Sequence, residues 1–214
     1  MKTKSFFIFS AAILFSLCSC SGQTKVEAEK FSIEATKASE KEFTHNYATA
    51  TYKLQIIEKG IPGEEDANIT TKYTFHYLLE EKASEEGLIT KEWVCQEEIP
   101  AEDEDQKYAS ADVKDFISAD VLYWYNEVEK TESLELNYYI NPLKIELSGS
   151  STEEKEGVKI TAKVIQSLTF NSYGKTSGVT ISEEVRNKGQ VDDQKINIYQ
   201  KYVVTMAIQY STNE

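Results

Sequence analysis

The sequence predicts an all-β, mainly antiparallel domain of seven to eight long strands with one helix. Apolar and polar residues alternate over long stretches in the middle of the chain and near its C-terminus, as in strands that bury one face. The stretches are separated by turns that contain Gly, and only 3 Pro are present to interrupt strands. The composition, 40% hydrophobic and 28% charged, is that of a globular chain and excludes a polytopic membrane protein.

The first 19 residues have the features of an export signal. Two lysines precede an apolar run over residues 6–15, which is shorter than the roughly 20 residues of a membrane-spanning helix. The run leads into Leu-Cys-Ser-Cys at residues 17–20. This tetrapeptide resembles the lipobox of bacterial lipoproteins, in which a Leu stands three residues before the Cys that is lipidated. The resemblance implies a signal peptide over residues 1–19 and a lipid anchor on Cys20.

Two details refine this resemblance. Cys18 occupies a lipobox position usually filled by Ala, Ser, Thr or Val, and we expect it to be removed with the signal peptide. Surface-exported lipoproteins of the Bacteroidota often carry acidic residues directly after the lipidated Cys, and residues 21–25 contain none. The resemblance therefore implies an outer-membrane lipoprotein that faces the periplasm, with surface exposure as the alternative.

The charge of the chain restricts its partners. Removal of Lys2 and Lys4 leaves 21 basic against 36 acidic residues, a net charge of −15. A nucleic-acid partner is excluded, because phosphate neutralisation needs clustered cations and Arg186 is the only arginine of the chain. The same charge predicts that the body does not attach to anionic lipid, so that the acyl chains on Cys20 hold the protein at the membrane.

Residues 20–44 are polar and rich in Lys and Glu, and we interpret them as the lipidated Cys and a tether that ends in a helical turn or a short strand. Residues 45–214 form a single β-rich domain. Alternation predicts strands over residues 48–56, 69–79 and 88–95, with a turn that begins Gly-Ile-Pro-Gly, over residues 60–66, between the first two.

An acidic segment over residues 97–107 precedes the helix candidate. It lacks the Asp-x-Asp-x-Asp-Gly spacing of a calcium loop and is interpreted as a solvated loop. Ser110 is the expected N-cap of the helix, whose apolar residues follow a helical period as far as Val128. Two alternatives stay open, a break at Ser118 and a strand over residues 121–125.

The last third of the chain predicts strands over residues 158–170, 179–185 and 196–210. Residues 134–147 are expected to form one strand that switches faces at Pro142. A strand of 13 residues extends roughly 40 Å, longer than the usual 17–20 Å, which favours a coiled sheet. Barrel, half-barrel and sandwich arrangements stay open.

An offset of 91 residues aligns similar residues in two segments. It places Asn46-Tyr47 on Asn137-Tyr138 and Ile69-Thr70 on Ile160-Thr161. This coincidence gives the hypothesis of two duplicated halves, residues 45–96 and 136–187, with the acidic loop and helix of residues 97–128 between them.

No catalytic motif is present. The sequence lacks metal-ligand spacings, a phosphate loop and a nucleophile elbow, and we predict no cofactor, no metal site and no enzymatic activity. Cys95, His45 and His76 are the residues from which a nucleophile pair would have to be built. We interpret Cys95 as a buried structural thiol beside Trp93, since a mature chain with one cysteine has no internal disulfide.

Aromatic residues are abundant, with 13 Tyr, 9 Phe and 2 Trp. Their amphipathic rings suit contact surfaces. The candidate binding residues are Tyr123, Trp124, Tyr125, Tyr138 and Tyr139.

The sequence thus favours a non-catalytic module that binds an envelope protein or another envelope component. The first alternative is a lipocalin-like or half-barrel carrier of a small apolar ligand, although no motif of those families is matched. A cavity lined by Tyr73, Phe75, Val164 and Ile208 would favour that carrier. The second alternative is a hydrolase that uses a pair among the 36 carboxylates.

Overall fold

The structure, a computed structural model, describes residues 23–83, 88–130, 134–191 and 194–212. These residues form nine strands and three helices. The strands are β1 (Thr24–Val26), β2 (Tyr47–Lys59), β3 (Ala67–Ala83), β4 (Ile89–Cys95), β5 (Glu135–Ile140), β6 (Lys144–Lys155), β7 (Val158–Phe170), β8 (Thr176–Val191) and β9 (Gln194–Ser211). The helices are α1 (Ala28–Ser39), α2 (Glu104–Ser118) and α3 (Val121–Val128). The predicted signal peptide, Cys18 and Cys20 lie outside the described residues.

All nine strands belong to one sheet, in the order β1-β5-β6-β7-β8-β9-β2-β3-β4, and every pairing is antiparallel. The mainly antiparallel β fold predicted from the sequence is confirmed. The first and last strands, β1 and β4, do not pair with each other in the described part of the chain, so the sheet is open. This arrangement corresponds to a coiled sheet or half-barrel.

The sheet has two chemically different faces. Its inner face carries the core side chains, among them Tyr52, Phe75 and Met206, and the three helices pack against it. Its outer face is mostly Lys, Thr and Ser. The core cluster, including the side chains packed around it, extends from Val26 to Tyr210. A chain that begins at Gln23 therefore contains the complete core.

Helix α1 corrects the prediction of a polar tether over residues 20–44 and of a single helix. Phe31, Ala35 and Ala38 are buried, at a spacing that places them on one helix face. The Phe31 ring packs on Tyr125, with 5.9 Å between ring centroids, and on Tyr138, with 4.9 Å. The high Lys and Glu content that suggested a tether belongs to the exposed face of this helix.

The predicted helical segment forms two helices that meet near Ser118. This is the break at Ser118 that the sequence analysis gave as one alternative. Helix α2 begins earlier than predicted, because Asp103 is its N-cap and accepts a hydrogen bond from the Gln106 N–H at 3.0 Å. Ser110, the expected cap, is buried within α2, and its carbonyl oxygen accepts a hydrogen bond from the Tyr77 hydroxyl at 2.7 Å. A strand over residues 121–125 is wrong, since these residues lie in α3.

Residues 134–147 form a hairpin and not the single strand that we predicted. The chain reverses at residues 141–143, where the Asn141–Pro142 peptide bond is cis and Asn141 has a φ of 60°. The switch of apolar faces at Pro142 therefore marks this turn, and not the bulge or edge position that we expected. The hairpin and the short strand β1 raise the strand number to nine.

The offset of 91 residues is not preserved in the strand pairing. Ile56 pairs with Ile69 in the first segment. The residues at the corresponding positions, Leu147 and Ile160, do not pair, because Ile160 lies opposite Glu153. The similarity of the two segments therefore does not extend to their hydrogen-bond register.

Candidate functional site

The inner face of the sheet continues beyond the helices. At the ends of the strands farthest from the helices, the inner face carries half-buried apolar side chains interspersed with polar ones such as Asn187 and Gln200. Examples of the apolar side chains are Leu54, Ile56, Ile160, Val164, Val185 and Ile198. This alternation is the same that builds the core, but here no element of the described chain covers it.

This uncovered region includes a depression on β6, β7 and β8 that we call the open groove. It has a volume of about 590 Å³. Its lining residues are Leu134, Gly149, Ser150, Ser151, Ala162, Lys163, Val164, Gln166, Glu183 and Val185, so that Lys163 borders both the groove and the outer face. A Cβ atom on Gly149 would lie 2.5 Å from the Cδ2 atom of Leu134, so the absence of a side chain at residue 149 lets Leu134 close the groove on that side.

Helices α2 and α3 cover a second, smaller cavity on the same face. The Phe116 and Trp124 rings are stacked with 5.1 Å between centroids. Together with Gln166 they line a cavity of about 70 Å³ between the helices and the sheet. Gln166 lines the open groove as well. The Trp124 indole N–H is buried without a hydrogen-bond partner among the described residues.

Two carboxyl groups near this face have altered ionisation. Burial raises the pKa of Glu183, which lines the open groove. Burial, and secondarily the charge of Asp115, raise the pKa of Asp112 to about 6. Neither of these shifts is caused by the other carboxyl group. The two residues are therefore not coupled as a general acid and base would be, and the hydrolase alternative gains no support from them.

The five aromatic residues chosen from the sequence do not share one surface. Tyr123 is 53% exposed on α3, and Trp124 lines the small cavity between the helices and the sheet. Tyr125 and Tyr138 pack together beneath α1, with 5.5 Å between their centroids. Tyr139 lies on the outer face, where the Lys144 ammonium group is 5.1 Å from its ring centroid.

The carrier alternative required a cavity lined by Tyr73, Phe75, Val164 and Ile208. The structure separates these residues, because Phe75 and Ile208 are buried in the core whereas Val164 lies in the open groove. The depression available to a ligand is therefore a groove beside the core and not an enclosed pocket within it.

Cys95 and His76 lie on either side of Glu97. The Cys95 thiol donates to Glu97 Oε2 at 3.3 Å, and His76 Nδ1 is 2.5 Å from Glu97 Oε1. Burial acts to raise the pKa of Glu97. The hydrogen bonds from His76 and Cys95 together outweigh this effect, so the pKa of Glu97 lies below its usual range. The Cys95 thiol therefore contacts the Glu97 carboxylate, and among the described residues it has no hydrogen bond to a histidine.

His45 is remote from this group. Its ring packs against Phe43 and Tyr173, with 5.1 Å and 5.5 Å between centroids. Within the described ranges, no three His, Cys, Asp or Glu side chains are grouped so that they would hold a metal ion.

Sequence reasoning missed Gly149 and Glu183 as lining residues. A signal for the groove did exist, since Gln166 and Glu183 both interrupt otherwise apolar inner-face positions of long strands. Polar residues on a buried face mark either a partner or a water-accessible surface.

Comparisons with protein-family models, with curated proteins and with solved structures each gave no match to this chain. Among the described helices, none is both long enough and apolar enough to cross a membrane.

Proposed function

We propose that this protein is a lipid-anchored cell-envelope lipoprotein whose β-domain is a non-catalytic binding module. The export signal and the lipobox-like residues 17–20 support the anchor and the location. The observation that supports binding is the open groove, where the apolar inner face continues beyond the helices without a covering element.

The chemistry of the open groove defines what it would hold. Val164, Val185 and Leu134 offer apolar walls, whereas Gln166 and Glu183 offer polar atoms at fixed positions. Such a mixture suits an amphipathic segment of an envelope protein, whose apolar side chains fill the groove while its backbone or polar groups bind at the ends.

A small apolar ligand with a polar end is the second candidate. The volume of about 590 Å³ lies within the range of about 300–1,000 Å³ that small-molecule sites occupy. Glu183 and Gln166 would then contact the polar end of the ligand.

Native mass spectrometry of the protein extracted from its own membrane tests both candidates. We expect a bound mass in addition to the acylated chain, a protein for the first candidate and a lipid-sized molecule for the second. Val164→Gln places an amide in the apolar wall and should abolish the bound mass. The matched control is Ile165→Gln, because Ile165 is 47% exposed on the outer face and is the next residue along the same strand.

Equal loss of the bound mass in both variants, with both folds intact by circular dichroism, would contradict a site in the open groove. Absence of any bound mass from the native protein under gentle extraction would contradict the binding function itself.

A further inference from the structure

Basic residues are concentrated on the outer face of the sheet, although the chain carries a net charge of −13. On β7, β8 and β9 the outer face contains six cations and one acidic residue, Glu184. The six cations, which we call the basic face, are Lys159, Lys163, Arg186, Lys188, Lys195 and Lys201. The acidic excess therefore lies elsewhere on the molecule.

The pairing register brings like charges together on the basic face. Lys159 and Lys188 are directly opposite each other on adjacent strands, and Glu154 of β6 lies opposite Lys159 on its other side. Two cations in directly opposite positions repel each other. The Arg186 guanidinium group lies 4.7 Å from the Tyr199 ring centroid and donates to Glu184 at 2.9 Å, so it is held in place among the lysines.

The basic face forms a surface with a hollow at its centre. Side chains of β7 and β8 line a hollow of about 400 Å³, namely Lys159, Thr161, Lys163, Glu184, Arg186 and Lys188. The Glu184 carboxylate is bound by Arg186, which leaves the lysine and threonine donors facing the hollow in excess of the one acid. Ammonium, guanidinium and hydroxyl donors around one space are the groups that bind phosphate oxygens.

The N-terminus of the described chain lies beside this same outer face. Strand β1 pairs with β5, and Lys25 is opposite Tyr139, whose ring also contacts Lys144 of β6. Cys20 precedes Thr24 by four residues, so at most about 14 Å of chain separates the lipidated residue from the sheet. A membrane that holds Cys20 is therefore within reach of the outer face.

We propose that the basic face lies on the anionic phospholipid headgroups of the membrane in which the chain is anchored. The two attachments are far apart, since β7 runs for roughly 40 Å from Phe170 at the anchored end to Val158 at the basic end. Together they orient the sheet parallel to the membrane. The open groove, on the inner face, then points away from the lipid and toward soluble or membrane-bound partners.

The net negative charge of the chain does not prevent this contact. The helices and their acidic residues lie on the other side of the sheet, and the Debye length at physiological ionic strength is about 8 Å. The interaction is therefore governed by the basic face, where each cation near an anionic surface strengthens partitioning.

This proposal uses the proposed lipid anchor only to say how the sheet is oriented on the membrane. The test of the basic face therefore uses a chain without the anchor. A chain that begins at Gln23 contains the whole core and lacks Cys20. We expect it to co-sediment with vesicles of phosphatidylethanolamine and phosphatidylglycerol but not with vesicles of phosphatidylethanolamine and phosphatidylcholine. Raising NaCl from about 0.05 to about 0.5 M should release it, because the charges become screened.

Two variants of equal charge localise the contact. Changing Lys159, Lys163, Arg186 and Lys188 to Gln should lower the vesicle partition coefficient roughly tenfold or more. The matched control changes four exposed cations of the helical side, Lys30, Lys37, Lys107 and Lys130, to Gln and should leave partitioning unchanged. Circular dichroism and thermal unfolding of each variant establish that both are folded, and single replacements of Lys159 or Lys188 serve if the fourfold variant is not.

Three outcomes would overturn the proposal. The first is that the native sequence shows no salt-sensitive binding to anionic vesicles, and the second is that the basic-face variant and the control variant lose vesicle binding equally. The third is that the protein binds a soluble polyanion such as dextran sulfate but does not bind vesicles. A failure of the lipid anchor is seen separately, in the membrane fractionation of Cys20→Ala.

Discussion

The proposed cellular location depends on Cys20. If it carries the acyl chains, Cys20→Ala in the full-length chain leaves the export signal uncleaved at residue 19 and prevents acylation. We expect a shift of the protein out of the acylated membrane pool, measured by metabolic labelling with a clickable palmitate analogue and by fractionation. Cys18→Ala is the matched control and should be labelled normally. Loss of label from the Cys18 variant and not from the Cys20 variant would place the cleavage site two residues earlier.

Asp112 gives the native state a specific pH dependence. Its pKa is raised from 3.8 to about 6 by burial and by Asp115. Between about pH 4 and pH 6 the native state therefore keeps a proton that the unfolded chain has lost, so stability falls as the pH rises through this window. Above pH 6 the charged group costs about 1 kcal/mol, after a reduction for its partial exposure.

Asp112→Asn should remove this cost. We expect the free energy of unfolding in urea to rise by about 1 kcal/mol at pH 7 and to change little at pH 4. Glu98→Gln, in the exposed loop before α2, is the control and should leave the pH profile as it is. A destabilised Asp112→Asn variant at pH 7 would mean that the carboxylate is stabilising, contrary to the burial argument.

Among the helices and strands, α1 is the unpredicted element that contributes most to the core. Phe31 is fully buried and contacts the rings of Tyr125 and Tyr138, so α1 closes the core over β5 and α3. We expect Phe31→Ala to lower the free energy of unfolding by about 3–4 kcal/mol, through lost burial and the cavity that remains.

Urea unfolding of Phe31→Ala measures this loss, and Ile33→Ala on the opposite side of α1 is the matched control. Ile33 is 50% exposed, so its replacement should cost well under 1 kcal/mol. Equal effects of the two replacements would mean that α1 does not dock on the sheet.

The elements differ in how far the sequence could predict them. Strands β2, β3, β7 and β9 were located within a few residues, because their alternation is long and one face is buried. The α1 helix was missed since only Phe31 among its large residues is buried, and Ala35 and Ala38 give a weak periodic signal. The β5–β6 hairpin was missed because its turn follows from backbone geometry at Asn141 and Pro142, which hydrophobic alternation does not report.

The candidate site was less predictable than the fold. Aromatic content led to Tyr125 and Tyr138, which the structure uses for packing. The open groove depends on where the helices stop covering the sheet, and this is a property of tertiary packing that no local pattern contains. None of the five predicted aromatic residues lines the open groove, and Trp124 lines the small cavity beside it.

At the scale of the whole molecule, the average composition concealed a division of charge. A net charge of −15 for the mature chain predicted no attraction to anionic lipid. The alternation of strands places Lys159, Lys163, Arg186 and Lys188 on one side of the sheet and the helices, with much of the acidic excess, on the other. Binding surfaces are governed by the charge within a Debye length, and net charge alone does not describe them.

Binding of a partner or ligand in the open groove can be tested in the producing cell by site-specific photo-crosslinking. The probe is p-benzoylphenylalanine, placed at residue 164 in the groove. The control position is Tyr108, which is 71% exposed on α2 and where the probe extends an existing ring. We predict a discrete, light-dependent adduct at residue 164, of protein or lipid mass, and none at residue 108. No adduct at residue 164, or the same adducts at both positions, would contradict the account.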